Sequence, residues 1–318
     1  MSVTVAIPVL DGGELFVGVL RAIRGQQIDA EVEILVSDSG SQDGSPERAR
    51  EYGARVIEIA RSEFSHGATR NMLLREARGS HVALLTQDAE PADAHWLERM
   101  LAGFEQAADV GLVYGPYLAR PGASPAVRRE LELWFGSLTP GVERLAPAER
   151  DLPAVELMGR RGFFSDANAC IARAAWEQVP FRDIPYAEDR ALALDMLRAG
   201  FAKVYEPAAG ALHSHDYGSL ERFRRAFDEW RGLRDVYGWR EPASPRYLLS
   251  QLRGELGALR REGAGPLTLA RGARDRSLRL AGAVLGSRAQ SLPAAVQRRC
   301  SLEGTATNDH ASDSEARS

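Results

Sequence analysis

Val82-Ala83-Leu84-Leu85-Thr86-Gln87-Asp88-Ala89-Glu90-Pro91 opens as an apolar run and stops on two acids one residue apart. A short apolar run bounded by turn formers reads as a buried strand, so Val82 to Leu85 is a strand and Asp88 lies just past its carboxyl end. Working outward, Thr69 to Arg78 has a helical pattern, with Gly79 where a helix C-cap favours glycine. Trp96 to Ala107 is helical on the other side. Further upstream, Val56 to Ile59, Val32 to Val36 and Val3 to Val9 read as strands, with a helix over Pro46 to Tyr52. Leu15, Val19, Leu20 and Ile23 recur at helical spacing between the first two strands. Strands alternating with helices predict an α/β fold, a mostly parallel sheet with crossover helices. Such sheets bind ligands at the carboxyl ends of their strands. Here those ends carry Asp11, then Asp38 with Ser39-Gly40-Ser41, then Asp88. Asp, Gly and Ser are also ordinary turn formers, and for Asp11 alone that reading serves as well. Three such ends on one sheet edge favour a ligand.

The 318 residues suffice for one large domain or two smaller ones, and 44% hydrophobic with 26% charged residues is an ordinary globular balance. A net charge of -4 argues against a nucleic-acid binder. Lys203 is the only lysine, and the arginine excess reads as composition bias. Cys170 and Cys300 are far apart and in no metal-ligand spacing, which predicts a reducing, cytoplasmic setting. No apolar run approaches the roughly 20 residues a membrane span needs, and no signal peptide is expected. From about 121 to 161 the pattern weakens into a mobile insertion or a helix with long loops. Regular structure resumes at Ala167-Asn168-Ala169-Cys170-Ile171, with helices over Glu188 to Ala199, closed by Gly200, and Leu220 to about Tyr237. The expected domain therefore covers 1–240. Residues 241–300 carry 11 arginines against four acids, a formal +7, interleaved with Leu and Ala. That extension is either a helical appendage with a solvated basic face or a basic amphipathic surface for a membrane. Residues 301–318 are polar and aperiodic, an expected disordered tail.

Four constellations could carry chemistry. Asp88 and Glu90 offer two carboxylates to a hard divalent cation, Mg2+ or Mn2+, which also takes phosphate oxygens. Glu188-Asp189 opens a helix, where one acid would serve as a cap; of two adjacent acids, about 100° apart, one can face a hydroxyl and accept its proton. His213-Ser214-His215-Asp216 puts two imidazoles on one side of an extended segment, without zinc spacing, and joint ligation of a cation by Asp88 and a later His is geometrically open. In Phe64-Ser65-His66-Gly67-Ala68-Thr69-Arg70-Asn71, Ser65 or His66 could cap a helix and Arg70 could reach a phosphate or a carboxylate.

These residues resemble the family 2 glycosyltransferases of the GT-A fold. The likeness runs through Ile7-Pro8-Val9-Leu10-Asp11-Gly12-Gly13, Val36-Ser37-Asp38-Ser39-Gly40-Ser41, Asp88 and Glu188-Asp189. Glu90 departs from the family's second Asp. His66-Gly67-Ala68-Thr69-Arg70-Asn71, Thr86-Gln87-Asp88-Ala89, Ser165-Asp166-Ala167-Asn168-Ala169 and His213-Ser214-His215 are similar to the rhamnosyltransferase-like branch. The resemblance implies a GT-A (Rossmann-like), mostly parallel sheet flanked by helices, and an inverting transfer of a sugar, such as L-rhamnose from dTDP-L-rhamnose, to a glycan or lipid-linked acceptor in bacterial surface polysaccharide synthesis. It implies Pro8, Asp11, Asp38, Ser39, Gly67, Arg70, Gln87 and Asp88 along the nucleotide sugar. Asp88, Glu90, His213 and His215 would serve Mg2+ or Mn2+, and Asp189 with Glu188 the catalysis. The expected place is the cytoplasm, with peripheral membrane contact open to the basic extension and no nucleic-acid partner. The competing readings are a sugar-phosphate nucleotidyltransferase, which would show a Gly-rich loop with Arg and Lys after the first strand, and a non-catalytic nucleotide-sugar binding protein. Leu10-Asp11-Gly12-Gly13-Glu14-Leu15 lacks that loop, and the paired acids Glu188-Asp189 speak against the second reading.

Overall fold

The structure, a computed structural model, describes residues 2–159 and 161–304. These residues group into two units, one of residues 2–152, 156–183 and 188–216, the other of residues 153–155, 184–187 and 217–304. The first unit contains β1 (Ser2–Val9), α1 (Gly13–Arg24), β2 (Glu31–Asp38), α2 (Ser45–Glu51), β3 (Arg55–Glu58), α3 (His66–Glu76), β4 (His81–Leu85) and β5 (Glu90–Pro91). It continues with α4 (Trp96–Ala102), β6 (Val110–Tyr114), β7 (Tyr117–Leu118), α5 (Pro125–Phe135), β8 (Gly141–Glu143) and β9 (Asn168–Ala172). It closes with α6 (Arg173–Gln178), α7 (Glu188–Ala199), β10 (Ala202–Tyr205) and β11 (Ala211–Leu212).

Eight strands form one sheet in the order β3-β2-β1-β4-β9-β6-β10-β8. β3, β2, β1 and β4 are mutually parallel, as are β6 and β10. β9 runs antiparallel between β4 and β6, and β8 antiparallel on β10. Alternation along each strand splits the core between the two faces. Val5, Ile7, Ile34, Val36, Ala83 and Leu85 meet Phe16, Leu20 and Trp96 on one side. Ala6, Leu35, Val82 and Leu84 meet Leu73, Leu74, Leu192 and Met196 on the other. Both faces are covered, as a mostly parallel sheet requires.

Two helix ends differ from the sequence reading. α3 stops at Glu76, where Ala77 turns extended with ψ 140°. Gly79 is not its cap. A Cβ there would lie 2.6 Å from the Thr4 backbone nitrogen, so glycine admits the close pass of this turn against β1. α4 ends at Ala102 and continues as a 3-10 turn, Gly103–Gln106, in which a Cβ at Gly103 would lie 2.7 Å from Val113.

A second, three-stranded sheet, β5-β11-β7, forms beside the first. Its antiparallel pairs Leu212↔Glu90 and Ala211↔Pro91 matter most, because they carry the segment after β11 back to the end of β4.

The second unit holds α8 (Ser219–Tyr237), α9 (Pro245–Arg261), α10 (Pro266–Gly286) and α11 (Ala294–Cys300). α8 and α10 pack closely, since a Cβ on Gly282 or Gly286 would lie 2.3 Å from Phe223 O or 2.1 Å from Phe227 O. α8 therefore groups with the C-terminal helices in the second unit. Residues 301–304 are tied to α8, with the Leu302 N–H donating to Asp228 Oδ2 at 2.7 Å. The remainder of the expected tail, 305–318, lies outside the described residues. Among the described residues no helix is long and apolar enough to cross a membrane.

Candidate active site

The carboxyl ends of β1, β2 and β4 are laced together. The Gln87 side-chain amide pairs with the backbone of Leu10, accepting its N–H at 2.7 Å and donating to its carbonyl at 3.0 Å. Beyond Leu10 the chain turns through Asp11, whose φ of 49° is unusual for a non-glycine residue. Asp11 Oδ1 accepts the Gln42 N–H at 2.7 Å, and the Asp11 N–H donates to Ser41 Oγ at 2.8 Å. Ser39 donates its hydroxyl to Val9 O at 3.0 Å. Pro8 sits two residues beyond the last β1–β4 partner pair, Ala6↔Leu84, where a missing N–H costs that ladder nothing. Asp38 is buried; its Oδ2 accepts the N–H groups of Gly40 and Ser41 at 3.0 Å each. Its Oδ1 has no hydrogen-bond partner among the described residues. A buried carboxylate oxygen without a donor is costly, and it is an acceptor ready for a ligand N–H.

The pairing of β11 with β5 brings the second constellation together. His213 Nδ1 lies 3.4 Å from Asp88 Oδ1 and His215 Nε2 3.2 Å from Asp88 Oδ2. The two rings stand edge to face, 4.8 Å between centroids. One ligand atom from each of Asp88, His213 and His215 lies within 4.8 Å of the others. His213 Nδ1 is buried and has no hydrogen-bond partner among the described residues. A buried orphan nitrogen beside a carboxylate and a second imidazole fits a divalent cation held by all three. Burial by itself would raise the Asp88 carboxyl; the contacts and charge of His213 and His215 outweigh it and hold the group well below the ordinary carboxylate range.

Glu90 is not part of this group. It begins β5, pairs with Leu212, and its carboxylate meets Arg120 at 3.4 Å. Arg120 also donates to the Asp88 carbonyl. The short β5 ladder thus commits Glu90 to an ion pair, and the neighbouring acid alone is left to the two histidines.

The third constellation is a buried charge cluster. Arg70 is 4% exposed, with Nε 2.5 Å from Asp166 Oδ2 and Nη1 3.2 Å from Glu188 Oε1. Of the two partners open to Arg70, a phosphate or a carboxylate, the structure shows carboxylates. Its guanidinium is shut inside this cluster and not free along a nucleotide sugar, because a charge out of water must be paired. Gly67, expected along the nucleotide sugar, serves packing: a Cβ there would lie 2.1 Å from Arg182 O. Ser65 caps α3, accepting the Ala68 N–H at 3.1 Å. The acidic pair at the start of α7 divides as helix geometry dictates. Glu188 is buried against Arg70, while Asp189 is only half-buried and accepts the Arg190 N–H at 2.6 Å. Burial, and then the Glu188 carboxylate beside it, pushes the Asp189 carboxyl up to about 6.

Three residues to which the sequence reading gave no role complete the geometry. Asp166 is the buried partner of Arg70, and Tyr117 packs edge to face on His213 at 4.7 Å while its hydroxyl bonds to Ser165 Oγ. His213, Tyr117, Ser165, Asp166, Arg70 and Glu188 therefore form one continuous path between the histidine cluster and the start of α7. Asn168, fully buried, accepts Trp96 Nε1–H at 2.8 Å and donates to Pro116 O and Ala209 O at 3.0 and 2.9 Å, tying the small sheet to the large one. An Asp and an Asn flanking Ala167 at the head of an otherwise apolar strand were a legible signal for Asp166 and Asn168. Tyr117 and Arg120 sit at the margin of the weakly patterned region and carried none.

Residues 4–168 match the profile described as glycosyl transferase family 2. The O-antigen chain rhamnosyltransferase RfbN of Salmonella typhimurium is 29% identical over 233 residues, covering 72% of this chain and 71% of that protein. The O-antigen chain rhamnosyltransferase WbaN of Salmonella anatum is 31% identical over 207 residues, covering 64% of this chain and 63% of that protein. In fold, the chain is similar to a mannosyltransferase from Pyrobaculum calidifontis in complex with GDP-Man and Mn2+, with a TM-score of 0.58 at 19% identity over 89% of this chain and 86% of the other. The family profile spans more than half of the sequence, the mostly parallel sheet flanked by helices is the GT-A architecture expected, and the chain belongs to glycosyl transferase family 2 as a glycosyltransferase related to the O-antigen rhamnosyltransferases.

Proposed function

We propose that this glycosyltransferase moves a sugar, L-rhamnose from dTDP-L-rhamnose, to a hydroxyl of a glycan or lipid-linked acceptor in surface polysaccharide synthesis, by a single inverting displacement. The observation that carries the reading is the convergence of Asp88, His213 and His215 at the carboxyl edge of the sheet, joined by a path of contacts to the acids that open α7. The rhamnosyl assignment is supported by the names of the two Salmonella relatives. A lipid-linked acceptor would bring the site to a membrane, where the basic C-terminal helices suit peripheral contact.

In this mechanism Asp38 accepts an N–H of the nucleobase at its unpartnered Oδ1, and Asp11 orients the ribose from the turn that Gln87 holds. Asp88, His213 and His215 would hold a divalent cation, which neutralises charge on the departing diphosphate when bound. Two imidazoles with one carboxylate favour Mn2+ over Mg2+, which prefers an all-oxygen shell. Asp189 accepts the acceptor's hydroxyl proton; that oxygen bonds to the anomeric carbon as the bond to the diphosphate oxygen breaks and the nucleoside diphosphate leaves. Glu188 anchors the start of α7 through Arg70 and leaves the half-buried Asp189 to meet the acceptor.

The test is nucleoside diphosphate release from dTDP-, UDP- and GDP-sugars, with Mn2+ or with chelator. Metal-dependent release of dTDP from dTDP-L-rhamnose is expected, with Asp189→Asn abolishing transfer while nucleotide binding survives. If Asp189→Asn and Asp88→Asn both kept wild-type turnover the mechanism is wrong, and pyrophosphate release from dTTP with a sugar 1-phosphate, offered in place of the nucleotide sugar, would indicate a nucleotidyltransferase.

A further inference from the structure

The α9–α10 hairpin concentrates positive charge in an otherwise acidic chain. Residues 245–286 hold eight arginines against Glu255, Glu262 and Asp275, a formal +5, whereas the whole chain is at -4. α9 has no buried residue along its 17 positions. Its side toward α10 is marked by Gln251, bonded to Arg276, and by Leu259, which lies against Gly272. On another side Arg246, Leu249, Arg253, Leu256 and Arg260 recur at spacings of three and four, which puts them on one line of an α-helix. All three of those arginines are exposed, Leu249 is 49% exposed, and none of the three has a carboxylate partner among the described residues. α10 repeats the device with Leu267, 66% exposed, and Arg271 one turn further on.

We propose that this hairpin face lies on a membrane surface rich in anionic phospholipid, with guanidinium groups on lipid phosphates and the intervening leucines in the headgroup–acyl boundary. This deepens the peripheral-membrane element of the proposed function, but it rests on the hairpin's own residues. Arginine forks match phosphate oxygens, and a basic amphipathic helix binds anionic bilayers through charge and apolar area together. The leucines decide between polyanions: a nucleic acid contacts basic and polar groups along its backbone and has no use for half-exposed leucines interleaved with them.

The experiment is co-sedimentation of the full chain with phosphatidylcholine vesicles, with and without phosphatidylglycerol at about 30 mol%. Partitioning should be at least about tenfold stronger with the anionic lipid and should fall in high salt. Arg253→Glu with Arg260→Glu should cost about tenfold or more, and Leu249→Ser with Leu267→Ser severalfold. Helix content by circular dichroism and nucleoside diphosphate release should match wild type in both variants, which lie outside the catalytic machinery. Equal binding to neutral and anionic vesicles, or unchanged binding in both variants, overturns the proposal. So does binding to heparin or single-stranded DNA as tight as to vesicles and indifferent to the leucine variant, which would make the hairpin a general polyanion surface. Vesicle co-sedimentation reads no catalysis, so it can fail while the donor assignment stands, and the reverse.

Discussion

Replacing Arg70 with methionine tests whether the buried charge cluster holds the start of α7. The guanidinium is 4% exposed and sits between Asp166 at 2.5 Å and Glu188 at 3.2 Å, with a further hydrogen bond to the His66 carbonyl at 3.1 Å. Asp166 and Glu188 are equally buried, at 4% and 6%. Methionine keeps much of the volume but removes the cation that pairs with the two carboxylates, the only one they touch among the described residues apart from a protonated His66. Removing one partner of a buried pair costs about 3–5 kcal/mol, because the other charge stays behind unpaired. For a domain of this size that corresponds to a melting temperature lower by roughly 10 °C. The assay is urea and thermal denaturation followed by circular dichroism. The origin of the loss is checked by Arg70→Met combined with Asp166→Leu and Glu188→Gln, which should recover most of it, since a well-packed neutral cluster costs little relative to an intact ion pair. The sign with pH is a second check. Without Arg70 the folded cluster takes up protons more readily than the unfolded chain, so the variant's deficit should shrink as pH falls from neutrality. A variant within about 1 kcal/mol of wild type, or a triple variant with the penalties simply summed, refutes the idea that pairing in this cluster holds α7.

Three further outcomes are expected. Transfer should rise with pH through about 6 and then level off, because Asp189 must lose its proton before accepting one and its carboxyl is raised to about 6 by burial and then by Glu188; a rate already flat between about pH 5 and 7 argues against Asp189 as the base. Gln87→Leu should cost about 1–3 kcal/mol and weaken nucleotide binding, because it orphans the N–H and carbonyl of Leu10; calorimetric dTDP titration alongside denaturation would reveal a silent substitution. Lys203, the only lysine, is 1% exposed and donates to Phe163 O at 2.7 Å and pairs with Glu143 at 3.0 Å, and burial, against Glu143, draws its ammonium down to about 8. Amine acylation should therefore spare it until the first unit opens, and mass spectrometry of the labelled native chain finding it modified at the rate of a free amine shows the burial to be wrong.

The sequence by itself determined the parallel half of the sheet. Apolar runs such as Val82 to Leu85 and helical spacings such as that of Val19, Leu20 and Ile23 encode which faces are buried, and burial periodicity is a local property. It also determined that Asp38 and Asp88 stand at strand ends and that Glu188 and Asp189 open a helix, since turn and cap preferences act over a few residues. The antiparallel entry of β9 between β4 and β6 was not legible, because an apolar strand reads the same in either direction. Nor was the fate of individual charges. Glu90 and Asp88 are two residues apart and chemically alike, yet one is spent on Arg120 and the other faces two histidines. Arg70 could have met a phosphate or a carboxylate, and it is the counterion of Asp166 and Glu188, 96 and 118 positions away in the chain. What separates these outcomes is which partner lies within about 4 Å, the range in which opposite charges attract most strongly. For Asp88 that distance is fixed by β11 pairing with β5, a long-range contact that only the tertiary structure could decide.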